Sequence, residues 1–125
     1  TITGVGRYLK SKDPSIRIVA VEPKSSPLLS EGIASSHGIQ GIGANFIPSV
    51  LDTNIYDEII TVSDEDAYKL GREIGKLEGI LVGISSGAAL CAAIELAKLD
   101  DNAGKPIVAL LPDTGEHYLS AGVFS

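Results

Sequence analysis

The sequence predicts an α/β fold, a parallel sheet with flanking helices, and three observations carry that prediction. Short β-branched runs recur along the chain, at Ile16–Val21, Glu58–Val62, Ile80–Val82 and Pro106–Leu111. Between them lie segments whose apolar residues repeat at three and four, the period of a helix packed on one face. A glycine-flanked turn, Gly83-Ile84-Ser85-Ser86-Gly87, joins one of these strands to an alanine-rich helical run. Strands alternating with helices imply parallel pairing through right-handed crossovers.

Taken in order, residues 2–12 place Ile2, Val5, Tyr8 and Leu9 on one helical face, and Asp13-Pro14 stops that helix. Ile16–Val21 is compact and β-branched, hence a largely buried strand. Glu22 through Pro48 is rich in glycine, serine and proline, and reads as a functional loop region with a short helix. Glu58–Val62 is the second strand. Ser63 is placed as an N-cap, with Asp64, Glu65 and Asp66 in the first turn where the helix dipole favours acids. Ala67, Leu70, Ile74 and Leu77 continue that helix to Gly79, a stop signal. Strand 80–83, helix 86–98 and a buried strand at 106–111 complete the order.

The chain has 125 residues, 44% of them hydrophobic and 21% charged, which suits one small domain or a piece of a larger one. A net charge of −6 argues against nucleic acid and anionic membrane surfaces as partners. No apolar run approaches the ~20 residues needed to span a bilayer. Cys91, the single cysteine, sits at helical spacing among alanines and reads as a small core residue. With no internal disulfide possible, a reducing, cytoplasmic setting is expected. The chain starts at Thr1 and contains no methionine, and its first helix has no strand before it. The expectation is that an N-terminal half lies outside this sequence, leaving a sheet edge and apolar surface uncovered.

Gly83–Gly87 matches G-x-S-x-G, the nucleophile elbow of serine hydrolases, with Asp113 and His117 downstream in hydrolase order. Against Ser85 as nucleophile, the acid and histidine lie four residues apart instead of on separate strand ends. A glycine-rich oxyanion loop is also missing. An N-capping serine on an ordinary helix is the plainer reading, and a cofactor contact is the third. Thr1–Gly6 opens a helix with hydroxyls and unsatisfied N–H groups, a workable phosphate seat. The turn Gln40-Gly41-Ile42-Gly43-Ala44 brings bare backbone within reach of a small ligand, without completing a dinucleotide fingerprint. His37 and His117 lack partners at metal-ligand spacing, so no metal is expected. The acids 64–66 read as a solvated helical turn.

Together these segments resemble the C-terminal part of the cysteine synthases (O-acetylserine sulfhydrylases), members of the fold-type-II pyridoxal-phosphate enzymes. The resemblance runs through Thr1–Leu9, Val19–Pro23, Ile39–Ala44, Phe46–Pro48, Val50–Asp52, Glu78–Ala89 and Leu111–Ser120, with His117 where the family has arginine. It implies that residues 1–125 form the C-terminal part of the cofactor-binding large domain. Thr1 would be the last threonine of the family's phosphate loop, and Ser85 the serine whose hydroxyl bonds the cofactor's pyridine nitrogen. Gln40, Gly41, Ile42, Gly43 and Ala44 would border the substrate pocket. The family's Schiff-base lysine lies in its N-terminal half, and Lys10, Lys12, Lys24, Lys69, Lys76, Lys98 and Lys105 stand in no such setting. No catalytic residue is therefore expected in this chain, which alone would be inactive. The implied reaction replaces the acetate of O-acetylserine with sulfide to give L-cysteine, in a homodimer partnered by serine acetyltransferase. A cystathionine β-synthase-like enzyme shares the scaffold. A serine hydrolase and a non-catalytic binding fragment are the alternatives of other classes.

Overall fold

A computed structural model describes residues 1–121. Helix α1 (Ile2–Lys12) is followed by strand β1 (Val19–Pro23), the short helix α2 (Leu28–Glu31) and strand β2 (Glu58–Val62). Helices α3 (Asp64–Glu78) and α4 (Ile84–Ala97) come next, then two 3-10 turns at Asp100–Asn102 and Gly115–Ala121. β1 and β2 pair in parallel, from Val19 opposite Glu58 to Pro23 opposite Val62, and Lys24 N–H extends the ladder to the Val62 carbonyl. The predicted α/β class with a parallel sheet holds.

The α3 boundaries follow from local chemistry. Ser63 is extended and its hydroxyl accepts from Asp66 N–H at 3.1 Å, closing the first turn. Gly79 ends the helix at φ 69°, the left-handed region where a side chain would be strained. α3 and α4 then meet at a bare backbone: a Cβ on Gly87 would overlap the Ala67 carbonyl oxygen and crowd Gly71 N. Small residues on both helices allow this approach, and Ala67, Ala88 and Ala92 are buried in the seam. Ile39, Ile60, Val62, Ile84 and Tyr118 complete the core, with Cys91 partly buried against it.

Four expectations need correction. The strand foreseen at Ile16–Val21 starts at Val19 and runs to Pro23. Helix 86–98 begins two residues earlier, because Gly83 and not a serine caps it, and ends at Ala97. Ile80–Val82 forms a single antiparallel bridge, Val82 with Thr114, and Pro106–Leu111 forms no strand. Among the described residues the sheet ends at β1–β2, so these runs have no neighbour to pair with; Val108 is 93% exposed. The apolar face of α1 is open as well, with Val5 and Tyr8 exposed and only Gly6 buried, beneath the Ile55 side chain.

α1 is held mainly by polar ties. Lys10 Nζ meets Asp57 Oδ2 at 2.7 Å, and the same carboxylate oxygen accepts from Ile18 N–H at 2.8 Å. Arg7 pairs with Asp52 at 3.2 Å, and Thr3 Oγ1 accepts from Asp52 N–H at 3.0 Å.

Candidate functional site

Ser85 is the second residue of α4, buried to 7% exposure, at the end of a turn that enters the helix through Gly83. The capping reading therefore fails: the cap position belongs to Gly83, which has no side chain to offer. The first N–H groups of a helix have no intrahelical acceptor and make its N-terminus electropositive. Ser85 sits in that first turn.

The turn of residues 40–44 closes onto this serine. Gly41 adopts φ +100°, and a Cβ there would stand 3.4 Å from Ser85 Oγ. Bare backbone thus faces the hydroxyl, an approach any larger residue would fill. Gly43, at φ +61°, lies against the His37 ring and Pro23, where a Cβ would meet both below 3.0 Å. The histidine fastens the turn at both ends, with Nε2 2.7 Å from the Gly43 carbonyl oxygen and Nδ1 accepting from Ile39 N–H at 3.1 Å. That pattern assigns the Nε2–H tautomer. Asp64 Oδ2 accepts from Gly38 N–H at 2.6 Å, and Tyr68 O–H donates to the Gly38 carbonyl at 3.3 Å. Asp64 is therefore an anchor for the turn, not merely part of a solvated acidic face.

Beyond Ala44 the chain turns through Asn45, the one non-glycine residue at positive φ among those described (62°). Its side-chain oxygen accepts from Ser26 Oγ at 2.6 Å, which offsets the strain. Gly41, Ile42, Gly43 and Ala44 line a cleft of about 500 Å³ that also touches Phe46, Pro48 and Leu51; Gln40 is exposed outside it. Glu22 is buried at its edge, its carboxylate accepting from Leu29 and Ser30 N–H at the start of α2.

Thr1 lies elsewhere. It lines a second cleft of about 410 Å³ with Ile2, Thr3, Gly4, Val50 and again Pro48 and Leu51. The two clefts share Pro48 and Leu51, while Ser85 lines neither. Thr1 caps α1 without a side-chain cap bond, and the helix's own ladder starts with Val5 N–H to the Thr1 carbonyl. The N–H groups of the first turn are left as donors for an anion.

The hydrolase arrangement is not assembled. Asp113 is committed to the Tyr118 hydroxyl at 2.5 Å and to Thr114 N–H at 2.8 Å, and His117 is exposed. The other histidine spends both ring nitrogens on backbone. Burial pushes the Cys91 thiol up, with the Asp66 and Glu95 charges adding, so it is no activated nucleophile. No group of three or more potential metal ligands occurs among the described residues. No helix among them is long and apolar enough to cross a membrane.

Residues 1–113 match the family described as pyridoxal-phosphate dependent enzymes. The chain is 51% identical over all 125 residues to cysteine synthase of Staphylococcus aureus (strain Mu50 / ATCC 700699), covering 40% of that protein. It superimposes on the cysteine synthase (OASS) of Entamoeba histolytica with a TM-score of 0.96 at 44% identity, over 99% of this chain and 37% of that one. The O-acetylserine dependent cystathionine beta-synthase of Helicobacter pylori is similar at TM-score 0.89 and 40% identity, over 100% of this chain and 40% of that one. The chain thus spans about two fifths of the length of these relatives.

Proposed function

We propose, since this chain belongs to the pyridoxal-phosphate-dependent enzymes, that it is the C-terminal part of the cofactor-binding large domain of a cysteine synthase. The complete enzyme, a chain of its relatives' length, replaces the acetate of O-acetylserine with sulfide and releases L-cysteine. The observation that carries this reading is the 51% identity to a cysteine synthase over the whole chain, with Ser85 buried in the first turn of α4.

Pyridoxal phosphate, when bound, supplies an electron sink for chemistry at the α-carbon of an amino acid. Ser85 suits one version of that chemistry. A serine hydroxyl donates to an unprotonated pyridine nitrogen but cannot hold a pyridinium as a carboxylate would. A neutral ring is the weaker sink, which favours elimination and replacement at the β-carbon over transamination. Thr1 and the free N–H groups of α1 hold the phosphate, where the helix dipole adds to the hydrogen bonds. Gly41–Ala44 form one wall of the substrate pocket, largely backbone, with Gln40 outside it. The Schiff-base lysine and the substrate-carboxylate loop come from the part of the enzyme that this chain does not span. A homodimer, a complex with serine acetyltransferase and a cytoplasmic location belong to the same reading.

The test is direct. The complete enzyme, given pyridoxal phosphate, O-acetylserine and sulfide, forms L-cysteine, and Ser85→Ala slows it about tenfold or more, the scale of one buried hydrogen bond. Thermal unfolding stays near wild type. An unchanged rate in Ser85→Ala overturns the pyridine contact. A wild-type enzyme that uses homocysteine but not sulfide moves the reading to a cystathionine-forming enzyme. Stoichiometric labelling of Ser85 by a fluorophosphonate would instead return it to a hydrolase.

A further inference from the structure

Asp113 is free of the hydrolase role and reaches the Ser85 turn from another side. Its carbonyl accepts from Gly83 N–H at 3.2 Å, and Gly115 N–H donates to the Leu81 carbonyl at 3.0 Å. With the bridge between Val82 and Thr114, the 113–115 segment is laced to the backbone that leads into α4. The Asp113 carboxylate accepts from Thr114 N–H at 2.8 Å and from the Tyr118 hydroxyl at 2.5 Å. Tyr118 is itself buried, in the same core cluster as Ile84. The two side chains close on Gly83: a Cβ there would stand 3.0 Å from both Asp113 Cβ and Tyr118 Cε2, closer than ordinary contact. Gly83 is the cap residue of α4; its carbonyl accepts from Ser86 and Gly87 N–H at 3.1 and 3.2 Å, so the backbone the pair packs against is the one that starts the helix.

We propose that Asp113 and Tyr118 form a positioning pair for Ser85. Their hydrogen bond locks both side chains against Gly83, which fixes the first turn of α4 and aims the Ser85 hydroxyl two residues on. This rests on the reading of Ser85 as the contact to the pyridine nitrogen. The titration directions agree with a lasting bond. Tyr118 donation holds the Asp113 carboxyl below its ordinary range, and acceptance by Asp113 raises the Tyr118 phenol. At neutral pH the acceptor is thus an anion and the donor keeps its proton, the stronger kind of hydrogen bond. A hydroxyl held within a narrow angle needs such support, because a site loosened by about an ångström loses up to ~10²-fold in rate.

A coupled set of variants in the complete enzyme tests the pair, read by pyridoxal phosphate affinity and bound-cofactor absorbance on reconstituting the apoenzyme. Tyr118→Phe removes only the hydroxyl; we expect about tenfold weaker binding and a shifted absorbance band, the scale of one charge-assisted hydrogen bond. Ser85→Ala gives a similar loss, and adding Tyr118→Phe to it costs less than about twofold more, since no hydroxyl remains to be aimed. Asp113→Asn removes the charge and leaves one oxygen for the two donors, so its affinity should fall between those of wild type and Tyr118→Phe. Asp113→Ala repeats the coupling should Tyr118→Phe fail to fold. Equal losses from Tyr118→Phe with and without Ser85 would overturn the pair's role, and so would no loss in either. A wild-type enzyme showing no cofactor absorbance would instead overturn the functional reading beneath it.

Discussion

Two β-branched runs in this chain meet opposite fates. Glu58–Val62 pairs along its length with β1 and puts Val62 into the core at 3% exposure, with α4 packed against the sheet. Ile107–Leu111 has as much apolar character, yet none of its backbone N–H groups finds an acceptor among the described residues, and Val108 points into solvent. Composition does not separate them; neighbours do. A β-branched run states a demand for pairing and burial, and it becomes a strand only where another strand lies beside it. In our reading the part of the enzyme that this chain does not span meets the demand of residues 106–111. Val5 and Tyr8 of α1, and Ile80 and Leu81, are exposed in the same way.

Amide hydrogen exchange gives the largest contrast. Residues 107–110 should exchange freely in the 125-residue chain and gain protection on the order of 10³-fold in the complete enzyme, while 59–62 stay protected in both. Equal exchange at 107–110 in the two chains would break the comparison. Next in size is the seam that makes the 58–97 region dense. Gly87→Ala drives a methyl into the Ala67 carbonyl, and unfolding of the complete enzyme should show a loss of about 3 kcal/mol. A loss below about 1 kcal/mol would mean that α3 and α4 part more easily than the contact implies. The smallest effect lies at the polar ties of α1. Ile18 N–H, first, and Lys10 hold the Asp57 carboxyl below its ordinary value. A carboxyl depressed in the folded state stabilises above its unfolded pKa, about 3.9, and that contribution is lost as pH falls through the folded value. Asp57→Asn should therefore lower stability modestly at neutral pH, where the wild type has this contribution, and flatten the decline below about pH 4, where the wild type loses it. An identical acid limb in the variant would remove Asp57 from the account.

Where signals are local, the sequence is legible. Ser63, the acids after it and Gly79 bound α3 to the residue, because capping and left-handed termination are decided within a few positions. The start of α4 is less so: the serines drew the boundary inward, while the backbone uses Gly83. The runs 80–83 and 106–111 read as strands, yet the first makes a single bridge and the second none among the described residues, because apolar character does not name the neighbour a strand needs. The site divides in the same way. Ser85 and the 40–44 turn stand out as glycine-flanked motifs, whereas no spacing announces that His37 pins Gly43 or that Asp64 holds Gly38 from 26 residues away. The Asp113–Tyr118 bond lay inside a motif already noticed, hidden because the aspartate suggested a histidine partner.

The central claim is that the Ser85 hydroxyl holds an unprotonated pyridine nitrogen. Nitrogen-15 NMR of the complete enzyme, loaded with pyridoxal phosphate labelled at that nitrogen, tests it most directly. The account predicts the resonance of a neutral, hydrogen-bonded pyridine that moves toward the free-pyridine position in Ser85→Ala. A pyridinium resonance, or one that Ser85→Ala leaves in place, would contradict it.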